Sequence, residues 1–347
     1  MVLTIKIPLK NAEYWKTYLV DNNLFDKSYR FSKDNAFIYF AVIKKFNSAR
    51  LDSDNVEFID KDILSVKTIG SLKDNLKNSL TAEEFEFVKT SHDIIGTIAI
   101  LEIPKNLEPK EELIAETLLK INKKLRTVLR KSESHSGIFR TQKMEYLAGI
   151  NTKETMYMEN SIKIKLDVEK VYFSIRLSNE RKRISKLVRS GEDILVMFSG
   201  CAPYPLVLSK KTTAKHILGI EINPDGHNYG LENIKLNKIK NVDLICGDVK
   251  DVVPKLLIEN PSLKFDRIIM PLPKTADEFL DEALSVSKTG TVVHFYDFLP
   301  DGEFEDALLK IDAACKKRIL NHKILDIVRC GQHSPKFFRI CVDFEIL

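Results

Sequence analysis

A few acids, small residues and prolines in the second half of the chain stand where they could do chemistry. The stretch 192–224 reads EDILVMFSGCAPYPLVLSKKTTAKHILGIEINP. Ser199, Gly200 and Ala202 are small and follow the short apolar run 194–198, so a ligand could approach the backbone there. Glu221 ends a second apolar run, 216–222, where an acid can accept hydrogen bonds from both hydroxyls of a ribose. No full G-x-G-x-x-G is present, which argues for a mononucleoside cofactor rather than a dinucleotide. The plainer alternative is an ordinary strand–helix–strand unit with a surface glutamate. Asp248, in CGDV, could accept from an adenine amino group or simply cap the helix after it. Pro271 and Pro273, in MPLP, would stiffen the rim of a pocket or only punctuate a turn. Glu180 lies among Arg176, Arg181, Lys182 and Arg183. It could be a general base, although the sequence alone favours simple pairing with those cations.

The elements around these residues alternate. Strands are expected at 193–198, 216–222, 242–246, 265–269 and 291–296, with helices at 224–237, 250–259 and 275–287 between them. A helix near 303–317 and two closing strands, 323–329 and 337–345, follow. This order predicts a doubly wound parallel sheet closed by a strand pair, as in methyltransferases that use S-adenosylmethionine. Upstream, strands at 4–7, 36–43 and 56–59 with a helix at 11–19 predict a small α/β module. A partly helical passage at 66–92 leads to a strand at 93–104 and an amphipathic helix at 111–130. The segment 135–149 reads as loop and then helix. Runs 155–158 and 162–166 can pair as a hairpin, and 171–188 as a helix or broken helix. The expected division is 1–65, 66–165 (α+β) and 166–347.

At 347 residues, with 44% hydrophobic and 30% charged residues, the chain can bury a sizeable core. No apolar run approaches the roughly 18 residues of a membrane span. The opening MVLTIKIPLK does not read as a signal peptide. Cys201, Cys246, Cys315, Cys330 and Cys341 form no C-x-x-C, and read as reduced thiols of a cytoplasmic protein without a metal site. Net charge is only +5, but it is clustered. Residues 119–131 carry six basic residues and no acid, and 170–189 carry seven with Glu180 alone opposing them. Such runs either track phosphates or are solvated faces.

Taken together, several motifs resemble the archaeal and eukaryotic tRNA guanine-37 N1-methyltransferases of the Rossmann-like class. They are Phe139-Arg140 with EYLAG (145–149), VYFSIR (171–176), Glu180-Arg181, MFSGCAPY (197–204), EINP (221–224), GDV (247–249), MPLPK (270–274) and the closing 334–344. The resemblance covers nearly the whole chain. It implies a Rossmann-like catalytic domain behind two smaller N-terminal units, the first checking tRNA shape. It implies S-adenosylmethionine as cofactor, held by Arg181, Phe198, Ser199, Gly200, Glu221, Ile222, Asp248, Val249 and Pro271. It implies Glu180 and Arg140 as catalytic residues, with Glu180 taking the guanine N1 proton. Tyr172, Gln142, Pro271 and Pro273 would face the target base. The partner would be the tRNA anticodon loop, met by a monomer.

The chain departs from the family pattern at Val196, Ala202, Gln142 and Pro271, where an acid, a glycine, an arginine and an asparagine are usual. MPLP resembles the archaeal branch tied to wyosine biosynthesis, which methylates C7 of imidazoguanosine, N1 of guanosine 37, or both. The rivals are an aminocarboxypropyl transferase using the same cofactor and a catalytically inactive tRNA-binding protein.

Overall fold

The alternating residues near the start form the strand Val2–Pro8, which pairs antiparallel with Phe37–Ala41 on one side and Glu57–Lys61 on the other. Ser32–Lys33 extends the sheet beyond Phe37–Ala41. The helix Ala12–Asp21 turns Trp15 and Leu19 onto Ile5, Ile7, Phe40 and Val42, closing a small core of its own. The Trp15 indole N–H donates to Asp54 at 2.9 Å, so burying the ring strands no polar group. The computed structural model describes residues 1–63, 65, 70–132, 137–272, 274–334 and 336–347. The chain divides into two compact units, Met1–Asp74 and Asn75–Leu347. The expectations at 66–69, 135–136, Pro273 and Pro335 lie outside the described residues.

The short helix Leu72–Leu76 spans the division, and the second unit continues with the helix Ala82–Phe87 and its Thr81–Glu84 capping box. A four-stranded sheet follows, in the order Asp93–Ile95, Ile98–Leu101, Thr127–Lys131, Met144–Gly149. The strand expected at 93–104 is therefore two, broken at Gly96. A Cβ there would meet the Met156 carbonyl oxygen at 2.3 Å, so only glycine fits. The helix expected over 111–130 stops at Ile121, and the last five described residues of the basic run, Thr127–Lys131, are a strand. Helical spacing continued past Asn122, but parallel pairing of Thr127–Lys131 with Ile98–Leu101 decides the outcome. Met144–Gly149 is likewise a strand rather than a helix, held by Thr127–Lys131. The hairpin expected at 155–166 is present as Glu154–Glu159 and Ile162–Asp167. Its turn residues Asn160 and Ser161 both have positive φ, 45° and 68°, as a tight two-residue hairpin turn requires.

The large sheet has seven strands. In chain order they are Asp193–Met197, His216–Glu221, Val242–Cys246, Arg267–Met270, Val292–Pro300, His322–Ser334 and Phe337–Ile346. In space the order is third, second, first, fourth, fifth, seventh, sixth, with the seventh antiparallel to both neighbours. The first strand is buried on both faces. Ile194 and Val196 pack with Ile184, Tyr204 and Leu208, while Leu195 and Met197 pack with Val253, Ala283 and Phe295. This explains its unbroken apolar run. The hairpin and the four-stranded sheet share one further core with the helix Pro203–Lys211, through Ile98, Leu129, Ile164 and Leu206. That shared core is why 75–347 is one compact unit. No helix among the described residues is long and apolar enough to cross a membrane.

Candidate active site

The first strand ends at Met197, and the chain then makes a strained turn. Phe198 (φ 59°) and Ala202 (φ 67°) are non-glycine residues in left-handed conformations. The turn is tied down from the second strand. Ser199 N–H donates to Ile220 O at 2.8 Å, and Gly200 N–H donates to Glu221 Oε2 at 2.5 Å. Glu221 also accepts from Asn223 N–H at 2.8 Å through Oε1. Burial pushes the Glu221 carboxyl above its ordinary value, and these two N–H groups pull the other way. Each oxygen holds one protein donor, which leaves a lone pair on each for a ligand.

These residues border a cavity of about 430 Å³ at the carboxyl ends of the first four strands. Its volume falls in the ordinary range of small-molecule sites. Arg140, Tyr172, Arg181, Phe198, Ser199, Gly200, Glu221, Ile222, Asp248, Val249 and Pro271 all line it, so the structure brings most of the expected site together. Asp248 caps the helix Val249–Glu259 by accepting from Lys250 N–H at 2.9 Å while still facing the cavity. Ser199 Oγ is buried and has no hydrogen-bond partner among the described residues. An orphaned hydroxyl on the cavity wall suits a polar ligand. Arg181 is 1% exposed and locked in a two-point ion pair with Glu159, at 2.5 and 2.6 Å. Cys201 is fully buried, and burial pushes its thiol up to about 12, so it is no nucleophile.

Two expected residues lie elsewhere. Glu180 is 4% exposed and does not line the cavity. Its carboxylate takes two hydrogen bonds from Arg183, both 2.8 Å, and one from the Tyr296 hydroxyl at 2.6 Å. The pairing with nearby cations is what forms. Tyr296 in turn accepts from Tyr204, which does line the cavity. Arg183 continues to Asp343, Asp343 to His294, and Arg267 to His294 and Glu192. His294, Cys341 and Asp343 offer ligand atoms within 4.8 Å of one another, but the flanking Arg183 and Arg267 already supply the positive charge there. Gln142 is buried against a neighbouring cavity of about 560 Å³. The two cavities share Gly137, Arg140, Val171, Tyr172, Phe173 and Ser174 as a common wall. Burial pushes Arg140 below its ordinary value, with Arg339 acting in the same direction.

Sequence reasoning missed Phe279, which meets Phe198 edge-on at 4.8 Å, and Asn223, which caps the helix Pro224–Leu236. The Asn-Pro pair at 223–224 was a readable signal for the cap. Arg339 was missed as well. It donates to the Tyr172 hydroxyl at 3.1 Å from a strand 167 residues away, a contact no local pattern announces.

The sheet order and the cavity at its carboxyl edge define the class, an α/β methyltransferase. Residues 155–325 match the TRM5/TYW2 methyltransferase domain, 72–152 the TYW2 N-terminal domain and 4–50 the tRNA methyltransferase 5 N-terminal domain. A tRNA (guanine(37)-N(1))-methyltransferase Trm5b of Pyrococcus abyssi is 33% identical over 347 residues, covering 100% of this chain and 99% of its own. The chain belongs to the Trm5/TYW2 methyltransferase family. The solved complex of aTrm5 with tRNALeu is 29% identical, with a TM-score of 0.70 over 99% of this chain and 100% of that one. TYW2 of Methanocaldococcus jannaschii, solved in complex with AdoMet, is 25% identical, with a TM-score of 0.56 over 74% of this chain and 100% of that one.

Proposed function

We propose that the protein methylates the purine-derived base at tRNA position 37 from S-adenosylmethionine, acting on C7 of imidazoguanosine in preference to N1 of guanosine. The observation that carries this reading is the pair of cavities with Arg140 and Tyr172 in their common wall. One fits a nucleoside cofactor, and the other, ringed by Lys131, Arg140, Arg176, Lys274 and Arg339, fits a nucleotide.

The residues fit the cofactor. Glu221 offers two lone pairs for a ribose, Ser199 an uncommitted hydroxyl, and Phe198, Ile222 and Val249 apolar wall. Asp248 stands where an adenine amino group would be read, and Arg181, on the cavity wall, would face the cofactor's carboxylate. When bound, the cofactor supplies an electrophilic methyl on sulfur. The protein's part is to hold the acceptor in line with it, exclude water and remove one proton. Glu180 is the proposed base, although here its carboxylate reaches the cavity wall only through Tyr296 and Tyr204. That placement favours an electron-rich ring carbon, which attacks before it loses its proton, over N1, which must lose one before or during attack. Pro271 adds to this preference, since it offers no side-chain group to a guanine edge. The three parts 1–65, 66–165 and 166–347 are assigned to tRNA shape reading, a middle unit and catalysis, in a cytoplasmic monomer.

The test is a paired assay on tRNA carrying guanosine or imidazoguanosine at position 37. Wild type is expected to favour the tricyclic base. Pro271→Asn is expected to raise N1 methylation about fivefold, the value of one added hydrogen bond of about 1 kcal/mol. Glu180→Gln should lower the N1 rate more than the C7 rate. Wild type that methylates only guanosine 37, with no product on the tricyclic base, overturns the preference.

A further inference from the structure

Arg339 lines the second cavity with one donor unused. It stands near the start of the closing strand Phe337–Ile346, inside the closing stretch 334–344 but far in sequence from the motifs that line the first cavity. One Nη donates to the Tyr172 hydroxyl at 3.1 Å, and the guanidinium lies over the Phe298 ring, 5.0 Å from its centroid. Its Nε–H is buried with no acceptor among the described residues. The acids that face this cavity are engaged elsewhere. Asp93 takes Arg176 at 3.0 Å, and Glu102 takes Lys131 at 3.1 Å. Among the described residues no carboxylate pairs with Arg339. A desolvated guanidinium N–H aimed at no acceptor is costly in a native protein, and it marks a place where a ligand supplies the acceptor.

We propose that Arg339 is a substrate-binding residue that donates its Nε–H to an anionic oxygen of the target nucleotide. This rests on the tRNA reading above. The oxygen belongs either to a phosphate flanking the nucleotide or to the base carbonyl on which charge builds during transfer. Both fit a guanidinium held by the Tyr172 hydroxyl and the Phe298 ring. Gln142 lines the same cavity without a charge, and Arg339 supplies one from the opposite end of the chain.

The experiment uses the full chain with Arg339→Gln, Arg339→Lys and Tyr172→Phe. It measures S-adenosylmethionine affinity by calorimetry, tRNA affinity against salt, and single-turnover methyl transfer at saturating tRNA. Arg339→Gln is expected to leave cofactor affinity within twofold. If the oxygen is a phosphate, tRNA affinity falls at least about tenfold, the salt slope drops by about 1, and Arg339→Lys restores most of it. If it is the base carbonyl, tRNA affinity is kept, the transfer rate falls at least about tenfold, and lysine does not restore the fork geometry. Three results overturn the proposal: affinity and rate both within twofold of wild type, loss of cofactor affinity in Arg339→Gln, or Tyr172→Phe reproducing the whole defect, which would make Arg339 only a brace for Tyr172. Wild type that methylates no tRNA would sink the functional reading, and this proposal with it. An active wild type with an equally active Arg339→Gln would sink this proposal alone.

Discussion

Glu221→Ala should weaken S-adenosylmethionine binding by about 1.5–3 kcal/mol, or roughly 10- to 150-fold, the range for hydrogen bonds to a charged group. The figure follows from the carboxylate's geometry. Oε1 and Oε2 each hold one backbone N–H, at 2.8 and 2.5 Å, and each keeps one lone pair for a ribose hydroxyl. Alanine also strands the Gly200 and Asn223 N–H groups, so the turn itself could shift. A comparison of ligands separates the two effects. Wild type should bind an S-adenosylhomocysteine analogue without ribose hydroxyls about as weakly as the variant binds the parent. The variant should barely distinguish the two ligands. Calorimetry gives the four affinities, and the coupling between variant and ligand isolates the direct contact. Affinity should also fall as pH is lowered through the Glu221 carboxyl's folded value, which burial sets above 4.5. Unchanged affinity in the variant, or an equal hydroxyl penalty in both proteins, would show that Glu221 only holds the turn.

Burial pushes His294 below its ordinary value, against the pull of Asp343, so on acidification the unfolded chain takes up that proton before the folded chain does. Stability should fall as pH drops below about 6.5, by at most about 1.4 kcal/mol per pH unit, and His294→Asn should remove that limb of a urea-midpoint profile. Asp343 is pushed up by burial, but its hydrogen bonds with His294 and Arg183 outweigh this and lower it. Its share of stability should vanish only below about pH 4. Arg181→Met leaves the Glu159 carboxylate buried and unpaired, at a cost of about 3–5 kcal/mol, and adding Glu159→Leu should restore stability but not cofactor affinity. Thermal melts and calorimetry on the single and double variants check both halves. Leu19→Ala should cost about 2–5 kcal/mol in the first unit. Because Trp15 is the chain's single tryptophan, its fluorescence should report a midpoint lowered by at least about 8 °C, with S-adenosylmethionine binding unchanged. A fluorescence midpoint that stays put would mean Leu19 is not part of that core.

The seven-stranded sheet was legible because its first strands are short, apolar on both faces and separated by helix-period segments. The acids at the strand ends, Glu221 and Asp248, could be placed for the same reason. The four-stranded sheet was read less well. Leu125 and Val128 continue the helical spacing of Ile114 and Leu118, and only pairing with Ile98–Leu101 shows that the chain has become a strand. Glu180 illustrates a different limit. Its basic neighbours suited both a base and an ion pair, and the choice was made by Tyr296 and Arg183, one of them 116 residues away. Arg339 lay in the closing stretch 334–344, but its role had no local signal, since its environment comes from Tyr172 and Phe298 on other elements.

The most direct measurement is mass spectrometry of both products after wild-type protein is incubated with S-adenosylmethionine and imidazoguanosine-37 tRNA. The predicted result is S-adenosylhomocysteine together with a tricyclic base heavier by one methyl group. Methylthioadenosine with an aminocarboxypropylated base would contradict it and establish the rival transferase. An unchanged base with intact cofactor would establish an inactive tRNA-binding protein.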